Sequence, residues 1–231
     1  GFATRLSEIL QAVRLQDPTF LTKEKGLKVV TRLEFPQEWG LGSSSTMVSL
    51  VAEWAGVDAF KLLADTFGGS GYDIACAQSE TPILFNLLQG HPVWEAVNHM
   101  PPFKDHIYFV YLGQKQNSRE GIARYRQQDI DRQKLVTEVT LCSITMQAAQ
   151  QLDTLQQSIE WHENLIANAL QMEKVKDRLF PDFDGAIKSL GAWGGDFAMV
   201  LTTQSTAEVF AYFDAKGYDT LLTWDEMVLN G

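Results

Sequence analysis

Pro36-Gln37-Glu38-Trp39-Gly40-Leu41-Gly42-Ser43-Ser44-Ser45 is the stretch on which the reading of this chain turns. Two glycines, Gly40 and Gly42, let the backbone turn sharply and approach a ligand closely. Three serines follow, with hydroxyl donors and a residue type favoured at helix N-caps. Residues 44–55 then carry Met47, Val48, Leu50, Val51 and Trp54. This predicts an amphipathic helix with those five residues on its buried side. A helix N-terminus presents free N–H groups and the positive end of its dipole, so a glycine turn feeding a helix suits a phosphate group. The spacing is not that of a Walker A loop, since no Lys follows the second glycine, and it is not GxGxxG. Taken alone, the loop reads equally well as a Gly/Ser linker ahead of a plain capped helix.

Upstream, residues 3–15 place Leu6, Ile9, Leu10 and Val13 at helical spacing. Residues 27–35, with Val29, Val30, Leu33 and Phe35, read as a strand stopped by Pro36. Downstream, Asp58 caps a helix over 59–66. Residues 82–88 and 92–97 read as a β-hairpin turning at Gln89-Gly90. Ile107 to Leu112 is a continuous apolar run and predicts a buried strand. Residues 119–180 have almost no Pro or Gly and predict helices near 119–130, 132–150 and 153–170, with a short one before Pro181. Strands at 185–190 and 196–202, a helix at 205–216 and a strand near 219–224 close the chain. The class is α+β, a helical layer on a sheet, in two lobes that divide near 113–120.

The 231 residues suffice for one large domain or two modest ones. With 45% hydrophobic and 21% charged residues the composition is that of a soluble globular protein. The net charge of -10 repels phosphate backbones, which argues against nucleic acid as a partner. Cys76 and Cys142 lie in apolar stretches and read as buried, reduced thiols. There is no apolar run of about 20 residues for a membrane span and no signal peptide in residues 1–20, so a cytoplasmic location follows by default. The chain starts Gly1-Phe2-Ala3 without Met, already in a helical pattern, so the natural chain is expected to extend further at its N-terminus.

Two more glycine-rich elements matter. Gly68-Gly69-Ser70-Gly71 leads into Tyr72-Asp73-Ile74-Ala75. Asp73 there is either a charge that stabilises a helix start or a base held by a rigid turn against a substrate hydroxyl. Lys188-Ser189-Leu190-Gly191-Ala192-Trp193-Gly194-Gly195-Asp196 sets glycines between two strand-like segments, as a hairpin turn or a close approach to ligand.

In order and spacing, the three elements resemble the GHMP kinases: galactokinase, homoserine kinase, mevalonate kinase and phosphomevalonate kinase. Pro36 to Ser45 is similar to that family's second motif at every position. Gly69 to Asp73 resembles the segment bearing its catalytic aspartate, and Gly191 to Gly195 resembles its third motif. Gly71-Tyr72-Asp73-Ile74-Ala75 is similar to a bacterial branch of mevalonate-pathway kinases. The resemblance implies a two-lobed fold, with an N-terminal ATP-binding domain over 1–115 and a C-terminal domain over 116–231. It implies ATP-dependent phosphorylation of a small hydroxy acid, mevalonate or phosphomevalonate, for isoprenoid precursor synthesis. Gly40, Leu41, Gly42, Ser43, Ser44 and Ser45 would hold the ATP phosphates, Ser44 would contribute to a Mg²⁺ site, and Asp73 would orient or deprotonate the acceptor hydroxyl. Gly194 and Gly195 would shape the active-site floor. The partner implied is a small molecule, neither nucleic acid nor membrane, and a homodimer stays open. A sugar or homoserine kinase, or a non-catalytic ATP-binding relative, are the other members of the set. The first motif, a strand and turn with a substrate-side Lys, is expected before residue 1. Trp193 and Asp196 stand where the family commonly has small residues, and Asp65 is not assigned to the metal because its register is wrong.

The remaining candidates read as ordinary surface or core. His91, His99, His106 and His162 lack metal-ligand spacing. Lys115-Gln116-Asn117-Ser118-Arg119 follows a buried strand and reads as a solvated loop that could greet an anion.

Overall fold

Helical spacing in the first sixteen residues does what it predicts. In the computed structural model, which describes residues 2–23, 26–97, 100–114, 118–191, 193 and 195–228, α1 (Phe2–Gln16) buries Ile9, Ala12 and Val13. Helix α2 (Ser43–Ala55) buries Ser45, Val48, Val51 and Ala52 and ends at Gly56, whose φ of 66° suits a left-handed C-cap. Asp58 caps α3 (Ala59–Thr66) by accepting from the amides of Phe60 and Lys61. A short α4 (Tyr72–Ala77) follows the second glycine turn. Strands β1 (Ile83–Leu88) and β2 (His91–Ala96) form an antiparallel hairpin. Its turn residues Gln89 and Gly90 both have positive φ, 53° and 84°, as a type I′ turn requires. The core here is helical: Ile9, Val13, Val48, Val51, Leu62 and Ile74 pack together.

A four-stranded antiparallel sheet carries the rest of the chain. It comprises β3 (Ile107–Tyr111), β4 (Ala186–Ser189), β5 (Phe197–Leu201) and β6 (Leu221–Thr223) in the order β4-β5-β3-β6. The registers include Phe109 opposite Met199 and Val110 opposite Leu221. Helices α5 (Ser118–Gln127), α6 (Arg132–Ala148), α7 (Leu152–Leu170) and α8 (Val175–Leu179) precede β4. Of these, α7 lies along β4 and α6 lies along α7. Helix α9 (Thr206–Ala215) opens with a capping box between Ser205 and Glu208, and α10 (Trp224–Met227) ends the described chain. Phe180 and Phe213 stack edge to face at 5.0 Å at the centre of an aromatic cluster with Phe183, Tyr212 and Tyr218.

The chain falls into two compact units. One is Gly1–Gln37 with Leu41–Asn98, and the other is Glu38–Gly40 with His99–Asn230. The division therefore falls near 98 and not at 113–120. Strand β3 is the reason: it pairs with β5 and β6, nearly ninety or more residues later in sequence.

Three further expectations are corrected. Residues 27–35 form no strand. The β-forming side chains are there, but a strand is made by pairing, and no described strand pairs with this segment. Val30 is 76% exposed. In α2, Leu50 and Trp54 are not buried but 49% and 44% exposed. The buried stripe runs through Ser45, Val48, Val51 and Ala52, and Trp54 meets the Phe20 ring edge-on at 5.0 Å. Cys76 is exposed, while Cys142 is buried. Helix α4 turns Ile74 and Ala75 inward and leaves Cys76 on its outer face.

Candidate active site

The phosphate-type loop is built from two left-handed glycines, Gly40 at φ 70° and Gly42 at φ 78°. Gly42, rather than a serine, is the N-cap of α2, and it offers no side-chain cap. The first intrahelical bond runs from Thr46 N–H to the Gly42 carbonyl at 3.0 Å. The amides of Ser43, Ser44 and Ser45 precede that bond and belong to the donors that a helix N-terminus leaves unpaired within the helix. No acidic side chain of α2's own first turn occupies this end; the carboxylate that approaches it comes from another helix. Ser44 is exposed and Ser45 buried.

Asp73 comes to this helix end. Its carboxylate accepts from the Ser45 hydroxyl at 3.5 Å, the long limit for such a bond. A Cβ added to Gly42 would stand 4.0 Å from the Asp73 carboxyl carbon. Asp73 owes its place to Gly71. At φ 84°, with the Phe60 ring 2.7 Å from where a Cβ would be, Gly71 lets α4 start tight against α3. Desolvation raises the Asp73 carboxyl above the ordinary range, and the Ser45 hydroxyl partly opposes it. The neighbouring Tyr72 hydroxyl is pushed up to about 12, first by desolvation and then by Cys76 and Asp73. It therefore stays a proton donor. The exposed Cys76 thiol is raised as well, chiefly by desolvation.

The same unit holds a cleft of about 320 Å³ that Ser43 and Ser44 help to line, and that Asp73 does not. Its walls are apolar, with Leu6, Ile9, Met47 and Leu50, and its polar groups include Arg5, Arg32, Ser43 and Ser44. Of the two arginines on this apolar cleft, Arg5 is paired with Glu8 at 2.8 Å.

In the other unit, Glu38–Gly40 is pinned to the sheet. Tyr111 donates its hydroxyl to the Glu38 carbonyl at 3.1 Å, and Trp39 packs edge-on against Phe197 at 5.4 Å. Asp196 closes on Gly40 from the third glycine-rich stretch. A Cβ on Gly40 would meet all three carboxyl atoms of Asp196 at 2.4–2.6 Å. That stretch holds three left-handed residues: Gly191 at φ 65°, Trp193 at 56° and Asp196 at 38°. For the last two, the conformation costs on the order of 1–3 kcal/mol each. Backbone bonds from Asp196 N–H to the Gln114 carbonyl and from Leu112 N–H to the Asp196 carbonyl hold its far end. Gly195 is buried. Gly194 lies outside the described residues, as do Lys115, Gln116 and Asn117.

Thus Ser45, Gly42 and Asp73 come together in one unit, and Gly40, Gly191 and Asp196 in the other. Ser44, the residue matched to the metal, is not the serine that meets Asp73. Asp65 forms a surface pair with Lys61 at 2.9 Å. Among the described residues no group of three or more His, Cys, Asp or Glu gathers into a metal site. Sequence reasoning missed the partnership of Ser45 with Asp73, 28 residues apart, and the tyrosine beside it. No helix among the described residues is long and apolar enough to cross a membrane.

No protein-family model matches the chain, and no curated protein matches it in sequence. Solved structures do resemble it. A Lin0012 protein from Listeria innocua superposes with a TM-score of 0.67 at 15% identity, over 95% of this chain and 77% of that one. The mevalonate kinase of L. major, solved in complex with R-mevalonate, superposes with a TM-score of 0.56 at 15% identity, over 79% of this chain and 64% of that one. Likeness at this identity establishes the fold, which is α+β with antiparallel sheets and GHMP-kinase-like.

Proposed function

We propose that the chain is an ATP-dependent kinase of a small hydroxy acid, with mevalonate or phosphomevalonate as acceptor and isoprenoid precursor synthesis as its setting in the cytoplasm. One observation carries the reading: Asp73, a carboxylate with a raised pKa, sits against Gly42 and Ser45 at the uncapped N-terminus of α2. A base at that position beside a loop that holds phosphate is what the reading requires. The fold shared with a mevalonate kinase supports it.

In this reading, the amides of Gly40, Leu41, Gly42, Ser43, Ser44 and Ser45 hold the ATP phosphates, and the Arg5 and Arg32 cleft takes the rest of the nucleotide. Ser44 would help to hold Mg²⁺, which would supply charge neutralisation to the phosphates. Asp73 orients the acceptor hydroxyl and takes its proton. A carboxyl pushed up by desolvation is a stronger base than an ordinary one, which suits that task. Gly194 and Gly195 form the floor. Phosphoryl transfer asks little covalent chemistry of the protein and much positioning.

The test is ADP release with mevalonate, phosphomevalonate, homoserine and galactose as acceptors. Turnover is expected with one of the first two. Asp73→Asn should lower kcat by roughly 10²–10⁴-fold while the melting temperature holds, since Asp73 is exposed and packs in no core. Activity that survives Asp73→Asn, or no turnover with any acceptor, would sink the reading.

A further inference from the structure

Glu163 on α7 is only 4% exposed. A carboxylate so far from water needs partners, and it has four. Oε2 accepts from the Ser189 amide at 3.1 Å and from the Ser189 hydroxyl at 3.0 Å. Oε1 faces Lys188 Nζ at 3.5 Å and His162 Nδ1 at 3.4 Å. Lys188, with 19% of its side chain exposed, also reaches His162 Nδ1 and the Ser189 carbonyl, both at 3.3 Å. Burial raises the Glu163 carboxyl, but His162, Lys188 and Ser189 together outweigh it and leave it below the usual range. The group is a buried anion, fully engaged.

Its partners on β4 share one location. Ser189 is the last residue of β4, and Leu190 N–H then bonds to the Phe197 carbonyl at 3.0 Å. Gly191 opens the turn with its left-handed conformations at Gly191, Trp193 and Asp196. Strained backbone of this kind persists only where its surroundings over-determine it. The far end is held through Gln114 and Leu112. The near end is held by Glu163.

We propose that Glu163 is a positioning residue, which from α7 clamps Ser189 and Lys188 and so presets the Gly191–Asp196 turn for its ligand. That this turn meets a ligand at all, the reacting phosphates and acceptor, rests on the kinase reading above. A buried ion pair adds little net stability compared with apolar packing. Two hydrogen bonds donated by one residue to one carboxylate oxygen, with the preceding lysine facing the other oxygen, instead fix a register. Glu163 acts on the turn through Ser189 and touches no reacting atom.

The experiment is backbone hydrogen exchange, read peptide by peptide on the whole chain, for the wild type, Glu163→Gln and Ser189→Ala. Glu163→Gln keeps the shape and one acceptor oxygen but removes the charge. Exchange in the peptide from Leu190 to Asp196 should accelerate by about 10-fold, with Met199–Leu201 of β5 unchanged. Ser189→Ala should accelerate the same peptide by a smaller factor, and it provides the readout if Glu163→Gln does not fold. In the ADP-release assay, Glu163→Gln should lower kcat by about 10-fold and leave the KM for ATP in place. Unchanged exchange at the turn in both variants would overturn the proposal, and so would acceleration spread evenly over the sheet. Exchange is measured without substrate. A wild-type protein that phosphorylates nothing would therefore remove the kinase reading and leave the positioning role to be decided by exchange alone.

Discussion

The two units bury apolar surface in different ways. The first does it with α1 to α4, which pack Val13, Val48, Leu62 and Ile74 together. The second does it with a sheet whose strands are gathered from residue 107 to residue 223. Its core is aromatic, with Phe180, Phe183 and Phe213 against Val110, Ile187 and Val200. The first unit leaves its own sheet, the β1–β2 hairpin, largely exposed, whereas β3 is buried along nearly its whole length. Local contacts assemble readily but cover little area. Long-range strand pairing costs more chain entropy and returns a sealed core.

The largest expected effect separates the units by their cores. Phe213→Ala removes a ring with no exposed surface that touches Phe180, Phe183 and Tyr212. It should cost about 3–5 kcal/mol, with amide protection lost across β3 and β5 and retained in α1 to α3. Leu62→Ala should cost about 2–5 kcal/mol, with the opposite distribution. Equal loss of protection in both units for either variant would erase the distinction drawn here.

A smaller effect probes the second unit at its short segment Glu38–Gly40. Gly40→Ala puts a Cβ into the Asp196 carboxyl and a side chain onto a left-handed backbone. It should cost about 1–2 kcal/mol in denaturant unfolding. Adding Asp196→Ala removes the carboxyl from the collision and leaves both left-handed backbones as they are, so part of the loss should return. No recovery in the double variant would mean that the carboxyl is not what confines Gly40.

The smallest is a difference in acid sensitivity. Glu163, Asp182, Glu208 and Glu226, all in the second unit, have carboxyls held low, Glu163 by its partners against burial and the others first by hydrogen bonds. A folded-state pKa below the unfolded one contributes stability that is present above the unfolded value, near 4, and lost as pH falls through the folded one. In the first unit, Asp17 is lowered but Asp73 is raised. A raised carboxyl has the reverse sign, so protonating Asp73 relieves a cost. Below about pH 4, protection should therefore fall more steeply in β3 to β6 than in α1 to α3, and Glu163→Gln should flatten that slope. Parallel loss in the two units would count against it.

What could be read in advance was what nearest neighbours decide. Gln89-Gly90 announced a hairpin because both positions need positive φ, and Asp58 announced α3 because its carboxylate reaches the next free amides. Residues 27–35 have the right side chains for a strand, but pairing is not a local property. The lobe boundary was set too late because the chain's change of texture near 118 hides that β3 joins partners far downstream. In the candidate site, Gly40 to Ser45 and Asp73 were marked as separate stretches. That Ser45 faces Asp73 depends on Gly71 letting α4 close on Phe60, a contact no spacing rule contains. The Glu163–Ser189 clamp was equally hidden, since one helix and one strand 26 residues apart had to meet.

The segment from Leu27 to Leu33 has a consequence for the protein as a material. Leu27, Val29, Val30 and Leu33 are all exposed, in a run of β-forming residues with no strand beside it. Such a run is adhesive: a second molecule can lay its own copy alongside and complete a ladder that one molecule leaves open. Lys28 and Arg32, interleaved and exposed, are the charges that oppose this. Salt screens them, so light scattering should show self-association through this segment rising with ionic strength.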